Sequence, residues 1–325
     1  MNVIITGGSG FIGSHMLKQL CLGANQIVNI DIRKPQYNNV DGVNWHDCSI
    51  LDKERLIAIF RNVQPSHVVH LAAFASMEAK SVEEFSANTE GTANLLAAIK
   101  SVNSVERVII TSSQHVRKPG SPIPFSDTDY IPYMQYGESK VITERLTRES
   151  SLSCAWTIIR PTAVWGPGHL LLAEGLWKLM ARGRYFHPAN DPVVRSYGYV
   201  KNVVWQIERL LLADRSAIDR KVFYVADDNG RQLDWVNAVS RELTGRGVRT
   251  LPLAMIRALA MFGDGARSLG LSFPIYRARL DNLITSNPVP IAPTMELLGP
   301  PPYSMETGAQ ETAEWLKSYY QDQAK

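Results

Sequence analysis

The order of apolar runs in the first half of the chain is the feature that most limits the fold. Short runs rich in β-branched residues alternate with longer segments whose apolar residues recur three and four positions apart. The short runs favour strands that are buried on both faces, and the longer segments favour helices that cover a sheet. The alternation therefore predicts a doubly wound α/β domain with a parallel sheet. Its predicted strands are 2–6, 26–31, 67–71, 107–112 and 155–160, and its predicted helices are 12–22, 53–64, 81–102 and 135–152.

The alternation weakens after residue 165. Further predicted elements are helices over 173–182, 203–213, 235–243 and 311–321, a strand over 221–226, and an irregular Pro-rich stretch over 288–303. We expect residues 1–165 to form the main domain and residues 166–325 a smaller mixed α/β lobe, with the chain able to cross between the two. Such a lobe would lie over the carboxyl ends of the strands, where open α/β sheets bind ligands.

A glycine-rich turn follows the first predicted strand. Gly7, Gly10 and Gly13 are spaced three apart and open a helix. In that context the first glycine permits a tight turn, the second lets the backbone approach a pyrophosphate, and the third allows close helix packing. Asp31 ends the next strand, where a carboxylate can accept both ribose hydroxyls of an adenosine. The pattern predicts a Rossmann-type dinucleotide-binding domain at residues 1–165.

The identity of the dinucleotide depends on the residues around Asp31. A carboxylate there favours NAD, because it would repel the 2′-phosphate of NADP. Arg33 and Lys34 follow directly and could compensate that phosphate. We therefore expect NAD, with NADP as the alternative.

Tyr136 and Lys140 form a Tyr-x-x-x-Lys pair on a predicted helix, which brings both side chains to one face about a turn apart. A phenol with a pKa near 10 is a weak base at neutral pH, but a nearby ammonium and an oxidised nicotinamide both favour the phenolate. After a strand of a dinucleotide-binding fold, the pair predicts an acid/base centre.

Hydroxyl groups stand at the end of the preceding strand. Ser113 is our choice for the hydrogen-bond partner of the reacting oxygen, and Ser112 is the alternative. His115 is a possible second acid/base, with a solvent-facing loop histidine as the other interpretation.

Taken together, these motifs resemble the extended short-chain dehydrogenase/reductase family, in its NAD-dependent epimerase/dehydratase branch acting on nucleotide-activated sugars. Further matching segments are His70–Ala73, 88–96, 160–168 and 195–200. The resemblance implies Ser113, Tyr136 and Lys140 as catalytic residues, with substrate contacts from Ser113 and from Arg195, a guanidinium suited to a diphosphate. It implies cofactor contacts from Gly7, Gly10, Phe11, Ile12, Gly13, Asp31, Asp47, Cys48, Leu71, Ala72, Ala73, Asn88, Tyr136 and Lys140.

The sequence also departs from the pattern of that family. Gln114 and His115 stand where dehydratases of the family carry an Asp-Glu pair, so we expect no dehydration. Ala163 replaces an asparagine that touches the diphosphate in many relatives, and Arg117 replaces a tyrosine. The departures concern the substrate and leave the redox centre intact.

Composition limits the remaining possibilities. A net charge of +3 gives no support for nucleic-acid binding, three dispersed cysteines oppose a disulfide framework, and we expect no metal site. The N-terminus resembles no secretion signal and no stretch is long enough to span a bilayer, so we expect a cytoplasmic protein without a membrane partner. The resemblance further implies a homodimer built on the helices over 81–102 and 135–152.

The leading functional hypothesis is a nucleotide-sugar epimerase or 4-ketoreductase that works by hydride transfer with Tyr136 as acid/base. One alternative is a hydroxysteroid-like alcohol dehydrogenase of the same superfamily, because residues 251–262 and the C-terminal segments loosely resemble the tails of such enzymes. Another is a non-catalytic dinucleotide-binding protein.

Overall fold

The computed structural model describes residues 1–23, 26–35, 42–189, 192–271, 273 and 275–323. In these residues a seven-stranded parallel sheet carries helices on both faces, which confirms the predicted Rossmann-type α/β class. The strands are β1 (Asn2–Thr6), β2 (Gln26–Asp31), β3 (Val43–Asp47), β4 (His67–His70), β5 (Arg107–Thr111), β6 (Ala155–Pro161), β7 (Ala163–Trp165), β8 (Phe186–Ala189), β9 (Val194–Tyr199), β10 (Lys221–Val225), β11 (Asn229–Arg231) and β12 (Arg249–Pro252).

Helices connect the strands and cover the sheet. They are α1 (Phe11–Cys21), α2 (Lys53–Val63), α3 (Glu90–Lys100), α4 (Met134–Glu149), α5 (Leu170–Leu172), α6 (Lys178–Ala181), α7 (Val200–Leu212), α8 (Arg215–Ile218), α9 (Gln232–Thr244), α10 (Leu253–Ser268), α11 (Arg277–Ile284), α12 (Ala292–Leu298) and α13 (Met305–Asp322). Short 3₁₀ turns lie at Val82–Phe85 and Gln114–Val116, and a π-helical turn lies at Ala173–Trp177.

The main sheet has the order β10-β6-β5-β4-β1-β2-β3. The chain runs outward from β1 in both directions, so the strand order reverses between β1 and β4, and a crevice for a ligand opens at the carboxyl ends there. Alternate residues of each strand face opposite helical layers: Ile4 packs toward α2 and α3, whereas Val3 and Ile5 pack toward α1 and α7. Burial on both faces explains why these strands have nearly continuous apolar sequences.

The strand at Lys221–Val225 lies in the main sheet. It pairs in parallel with β6, from Lys221 opposite Thr157 to Val225 opposite Pro161, and α7 packs against α1. This strand and α7 belong to the half of the chain that is expected to form the smaller lobe. The chain therefore leaves the main sheet after β6 and returns to it at β10, which is the crossing that the sequence analysis allows.

The lobe is built from small sheets and helices around an aromatic core. One sheet has the order β11-β9-β7, another pairs β12 with β8, and α9 packs on α13. Tyr197 stacks on Trp235 with ring centroids 4.3 Å apart, and Trp165 contacts the same indole edge-on. Because β9 continues directly into α7, the lobe is joined to the main domain by regular structure.

The five strands predicted in the first half are present within one residue of their expected ends. Strand β3 was missed because it is a half-exposed edge strand without an apolar run. The helix predicted over 81–102 is interrupted: the 3₁₀ turn comes first, capped by Ser81 and Glu84, and α3 begins only at Glu90. The stretch over 288–303 contains α12, whose proline lies in the first turn, where a helix tolerates it.

Candidate active site

The glycine turn between β1 and α1 leaves no space for side chains. Gly7 has a φ of 76°, and a Cβ there would lie 2.5 Å from the Ala72 backbone nitrogen. A Cβ at Gly13 would lie 2.2 Å from the Gly7 carbonyl oxygen. Helix α1 begins directly at Phe11, and Gly10 before it has no side chain to cap the first amides. This backbone cradle fits the pyrophosphate of a dinucleotide.

A cavity of about 590 Å³ lies beside this turn, along the carboxyl ends of β1, β2 and β4. The predicted cofactor residues that line it are Gly7, Gly10, Asp31, Cys48, Leu71, Ala72 and Ala73. Of the other predicted cofactor residues, Asp47 is an exposed residue at the end of β3, directly opposite Asp31 in the sheet register. The ring of Phe11 packs on His169, at 4.7 Å between centroids, which turns it toward the lobe.

Asp31 is buried and already accepts two backbone hydrogen bonds. Its Oδ2 accepts from the Ser9 amide at 3.0 Å and its Oδ1 from the Arg33 amide at 2.9 Å. Each oxygen keeps a further acceptor position for a ribose hydroxyl. The carboxylate borders the cavity together with Arg33, whereas Lys34 is exposed beyond it. The charged group placed nearest to a bound adenosine ribose is therefore the Asp31 carboxylate.

Tyr136 lies in the first turn of α4, two residues after Met134, whose φ of 59° is unusual for a residue with a side chain. Ser113, after the end of β5, lies within hydrogen-bonding reach of the Tyr136 phenol. Burial raises the pKa of Tyr136, and the Ser113 hydrogen bond acts in the opposite direction. The structure brings these two predicted residues together, and the geometry favours Ser113 over Ser112 as the partner of the tyrosine.

Lys140 is buried one turn after Tyr136, and its Nζ donates to the Thr111 carbonyl oxygen at 2.9 Å. Burial lowers the pKa of Lys140 to about 8, and the charge of Glu144 opposes that shift. The Nζ thus contacts the end of β5, and the acidifying effect of this ammonium on the phenol stays a prediction.

A buried charge network under the site was missed in the sequence. Arg160 on β6 forms a two-pronged pair with Glu144, with Nε–Oε1 and Nη2–Oε2 distances of 2.8 Å each. Ser112 donates to the same carboxylate at 2.6 Å and Tyr130 at 2.9 Å. Although burial disfavours its charge, the hydrogen bonds and charge of Glu144 raise the pKa of Arg160. The sequence feature that could have indicated this network is Glu144, a carboxylate four residues after Lys140 on the same side of a helix that faces the sheet.

His115 packs on the catalytic candidates and does not point to solvent. Its ring lies edge-on to Tyr136, at 5.9 Å between centroids, and 5.6 Å from Tyr133. Burial, with the charge of Arg195 adding to it, lowers the pKa of His115 to about 4. The imidazole is therefore neutral at physiological pH. Its Nδ1 is buried and has no hydrogen-bond partner among the described residues.

Asn88 has its side chain fully engaged within the protein. Its Oδ1 accepts from the Phe74 amide at 2.8 Å, and its Nδ2 donates to the Phe74 carbonyl at 3.0 Å and to Ser139 Oγ at 2.9 Å. These bonds tie the loop after β4 to helix α4. In this structure Asn88 holds the cavity wall in place, and its predicted cofactor contact remains a prediction.

Arg195 on β9 is committed largely to the lobe. Its Nη2 donates to the carbonyl and side-chain oxygens of Asn282 and to the Thr285 carbonyl, the last at 3.0 Å. Burial lowers the pKa of Arg195, and its Nε has no partner among the described residues. The guanidinium therefore fixes the end of α11 with one nitrogen and retains unused donors for an anionic ligand.

Arg117 organises the loop between the serine strand and the tyrosine helix. It donates to the Asp129 carbonyl and, at 2.6 Å, to the Pro122 carbonyl. The departure from tyrosine at this position thus supplies the bonds that shape the loop expected to border the substrate.

Within the described ranges, no three His, Cys, Asp or Glu side chains lie close enough together to hold a metal ion. Among the helices in the same ranges, none combines the length and the apolar character needed to cross a membrane.

Comparisons with known proteins agree with this arrangement. The model of the NAD dependent epimerase/dehydratase family matches residues 3–226, which end directly after β10. A UDP-glucose 4-epimerase of Vibrio cholerae is 29% identical, over 96% of this chain and 94% of that protein. A decarboxylating sterol-4-alpha-carboxylate 3-dehydrogenase of Schizosaccharomyces pombe is 27% identical, over 70% of each chain.

Solved structures show the same fold over nearly the whole chain. The UDP-glucose 4-epimerase of Thermotoga maritima, crystallised with UDP-glucose, superposes with a TM-score of 0.74 at 23% identity, over 98% of this chain and 100% of that one. Since the family model covers more than half of the residues, the chain belongs to the NAD dependent epimerase/dehydratase family.

Proposed function

We propose that this protein is an NAD-dependent epimerase or 4-ketoreductase of a nucleotide-activated sugar. The observation that carries the proposal is the close placement of the Ser113 and Tyr136 side chains, with Lys140 one turn further along α4 and the cavity of about 590 Å³ at the neighbouring strand ends. The full-length likeness to a UDP-glucose 4-epimerase supports the choice of substrate class.

The residues of the chain divide the chemistry between them. Tyr136 takes the proton of the substrate hydroxyl, and Ser113 donates a hydrogen bond to the same oxygen. Lys140 holds the ribose on the nicotinamide side, and the glycine turn with Asp31 holds the adenosine side. NAD, when bound, supplies the hydride acceptor. Arg195 contacts the diphosphate of the substrate through the donors that α11 leaves unused.

The outcome depends on what happens to the keto sugar. If the reduced cofactor formed in the site returns its hydride to the other face of this keto sugar, the product is the epimer. If the substrate is itself a 4-keto sugar and reduced cofactor binds from solution, the hydride goes to the keto carbon, Tyr136 supplies the proton, and the net reaction is ketoreduction. A purified protein that retains its cofactor and interconverts UDP-glucose with UDP-galactose supports the epimerase.

The test is turnover by the wild type and by Tyr136→Phe. We expect the variant to lose about a thousandfold in kcat, because the general base is removed. It should keep the thermal stabilisation by NAD, since the phenol oxygen is one contact among many. Unchanged turnover in Tyr136→Phe would contradict the role of Tyr136, and absence of turnover in the wild type would support the non-catalytic alternative.

Cofactor choice follows from Asp31. We propose NAD over NADP, because the buried carboxylate meets the 2′ position while Arg33 is its exposed neighbour. Asp31→Asn should narrow the difference in thermal stabilisation between NAD and NADP. A wild type stabilised equally by both dinucleotides would contradict the proposal.

A hydroxysteroid-like dehydrogenase is the second candidate. The sterol dehydrogenase among the relatives and the apolar segment over 251–262 favour it. Arg195→Ala discriminates: a large loss of UDP-sugar binding supports the first function, whereas unchanged UDP-sugar binding with stabilisation by a steroid supports the second.

We also propose a homodimer, with α3 and α4 forming the contact as in the family that the sequence resembles. Sedimentation at micromolar concentration tests this, and a monomer would contradict it. We further propose that the main domain binds the cofactor and that the lobe selects the substrate.

A further inference from the structure

Helix α10 is attached to the lobe by one narrow side. Its buried residues are Ile256, Ala260 and Gly263, which recur at helical spacing, and the first two pack against Leu280 of α11. A Cβ at Gly263 would lie 1.8 Å from the Ile275 carbonyl oxygen, so this side is in close contact with the segment before α11. The orientation of the helix is therefore fixed.

The opposite side of α10 is apolar and exposed. We call it the outer face, and it consists of Ala254, Met255, Ala258, Leu259, Met261, Phe262 and Gly265. Met255 is 53% exposed, Met261 64% and Phe262 66%. Leu269 and Leu271 continue the apolar surface past the end of the helix. A helix that shows this much contiguous apolar area to solvent marks a contact surface.

Exposed arginines lie on α10 and on two elements that pack against it, β12 and α11. The segment from residue 245 to residue 280 contains six arginines and one carboxylate, Asp264, which is paired with Arg277. The whole chain has 34 basic and 31 acidic residues, so the charge excess of this one segment is greater than that of the entire protein. Arg257 and Arg267 lie exposed on α10 itself.

We propose that the outer face of α10 docks onto the surface of an anionic lipid bilayer. An apolar face bordered by arginines is the pattern of a helix that lies in the membrane interface, where apolar burial and attraction to acidic headgroups add. With 16 residues, α10 is too short to span. We expected no membrane partner because no stretch of the chain is long enough to span a bilayer, but a helix that lies on the membrane surface needs no such stretch.

The docked lobe also carries the candidate substrate arginine. Helix α10 packs on α11, and the carbonyls of Asn282 and Thr285 accept hydrogen bonds from Arg195. A bilayer on the outer face would therefore lie on the lobe that selects the substrate. The inference does not depend on the proposed reaction, since lipid binding is measured without substrate.

The test is flotation of the purified full chain with vesicles. One set contains phosphatidylcholine with about one third phosphatidylglycerol, and the other contains phosphatidylcholine alone. We expect the wild type to float with the anionic vesicles. Met261→Ser with Phe262→Ser should weaken this binding by about tenfold or more, because two apolar side chains no longer leave water. Phe125→Ser is the matched control, since Phe125 is fully exposed outside this segment and should change nothing.

The charge contribution is tested separately. Arg257→Gln with Arg267→Gln should weaken binding to the anionic vesicles by roughly tenfold, and added salt should do the same to the wild type. Failure of the wild type to bind, or equal binding by the Met261→Ser, Phe262→Ser variant with its native melting temperature, overturns the proposal. Conversion of a wild-type oligomer to a monomer in that variant, without lipid binding by the wild type, would assign the face to a second copy instead.

Discussion

Helices α4 and α10 are both 16 residues long, and each departs from the usual amphipathic pattern. Helix α4 buries polar side chains, whereas α10 exposes apolar ones. The side of α4 that faces the protein carries buried polar groups, which are Ser139, Lys140, Thr143, Glu144 and Thr147. The side of α10 that faces solvent carries apolar groups, which are Met255, Leu259, Met261 and Phe262. A helix that only covers a core would show neither arrangement.

The comparison teaches where to look for function in this chain. Polar groups are buried on α4 because Tyr136 and Lys140 must be held at the strand ends, and Glu144 and Arg160 satisfy the charges below them. Apolar groups are exposed on α10 without any such internal requirement. Local conflicts with the global pattern are expected at functional sites, and the two helices point to a reaction and to a contact surface respectively.

The largest expected effect comes from breaking the buried network under α4. In Glu144→Gln the Arg160 guanidinium keeps its charge, while the amide offers no compensating negative charge. We expect a loss of about 3–5 kcal/mol in the free energy of unfolding, measured with urea. Glu149→Gln, at the exposed end of the same helix, is the control and should change it by less than about 0.5 kcal/mol.

A double replacement separates charge from packing in that network. Glu144→Met together with Arg160→Met removes both ions and should recover much of the lost stability. A Glu144→Gln protein that unfolds at the wild-type urea midpoint would show that the network does not stabilise the fold.

The next effect is a pH dependence of stability that belongs to Lys140. The pKa of this buried amine is about 8 in the folded chain, against 10.5 as its ordinary value. Below pH 8 both states are protonated and the burial cost is fully present. Between pH 8 and 10.5 the folded state has released the proton and the unfolded state has not, so stability rises with pH, by up to about 3 kcal/mol.

Lys140→Met isolates this contribution, because it removes the titration and keeps an unbranched side chain. The measurement is the difference in unfolding free energy between wild type and variant at several pH values. A difference that stays constant from pH 7.5 to 10 would contradict the lowered pKa.

The parts of the candidate site that could be predicted from the sequence are those set by contacts between residues close in the chain. Gly10 and Gly13 contact the backbone of Gly7 and Gly8, which are close in sequence, so their spacing after a strand that Asp31 complements indicated the cradle. The contact of Gly7 with Ala72, after β4, could not be read in this way. Strand and helix order predicted that Ser113 and Tyr136 lie at the same end of the sheet, and their catalytic roles stay predictions. The contact of Lys140 with Thr111 could not be read from spacing, because the direction of a long side chain depends on its acceptor.

Long-range pairings explain what the sequence did not reveal about the fold. The strand over 221–225 was recognisable as a strand, but its neighbour β6 lies some 60 residues earlier, and the intervening lobe hid the return to the main sheet. The pair of Glu144 with Arg160 likewise joins a helix to a strand that only the folded sheet brings together.

One glycine on each helix allows the packing of α4 and of α10 to be compared by a single substitution with a smaller expected effect on stability. A Cβ at Gly137 on α4 would lie 2.2 Å from the His115 carbonyl oxygen, whereas a Cβ at Gly265 on α10 would meet nothing within 4 Å. Gly137→Ala should therefore lower the unfolding free energy by about 1–3 kcal/mol through backbone displacement. Gly265→Ala should raise it by roughly 0.5 kcal/mol, because alanine is the better helix former. Equal melting temperatures of the two variants would remove this contrast.

The smallest expected effect is on the stability of α10 itself. Met261→Ser with Phe262→Ser replaces side chains that are about two-thirds exposed in the folded protein, so little apolar burial is lost on folding. We expect the free energy of unfolding to change by no more than about 0.5 kcal/mol for each replacement, mostly from helix propensity. Thermal and urea unfolding measure this directly. A much larger loss would mean that the outer face is packed within the protein in solution, and α10 would then be an ordinary core helix and no longer the counterpart of α4.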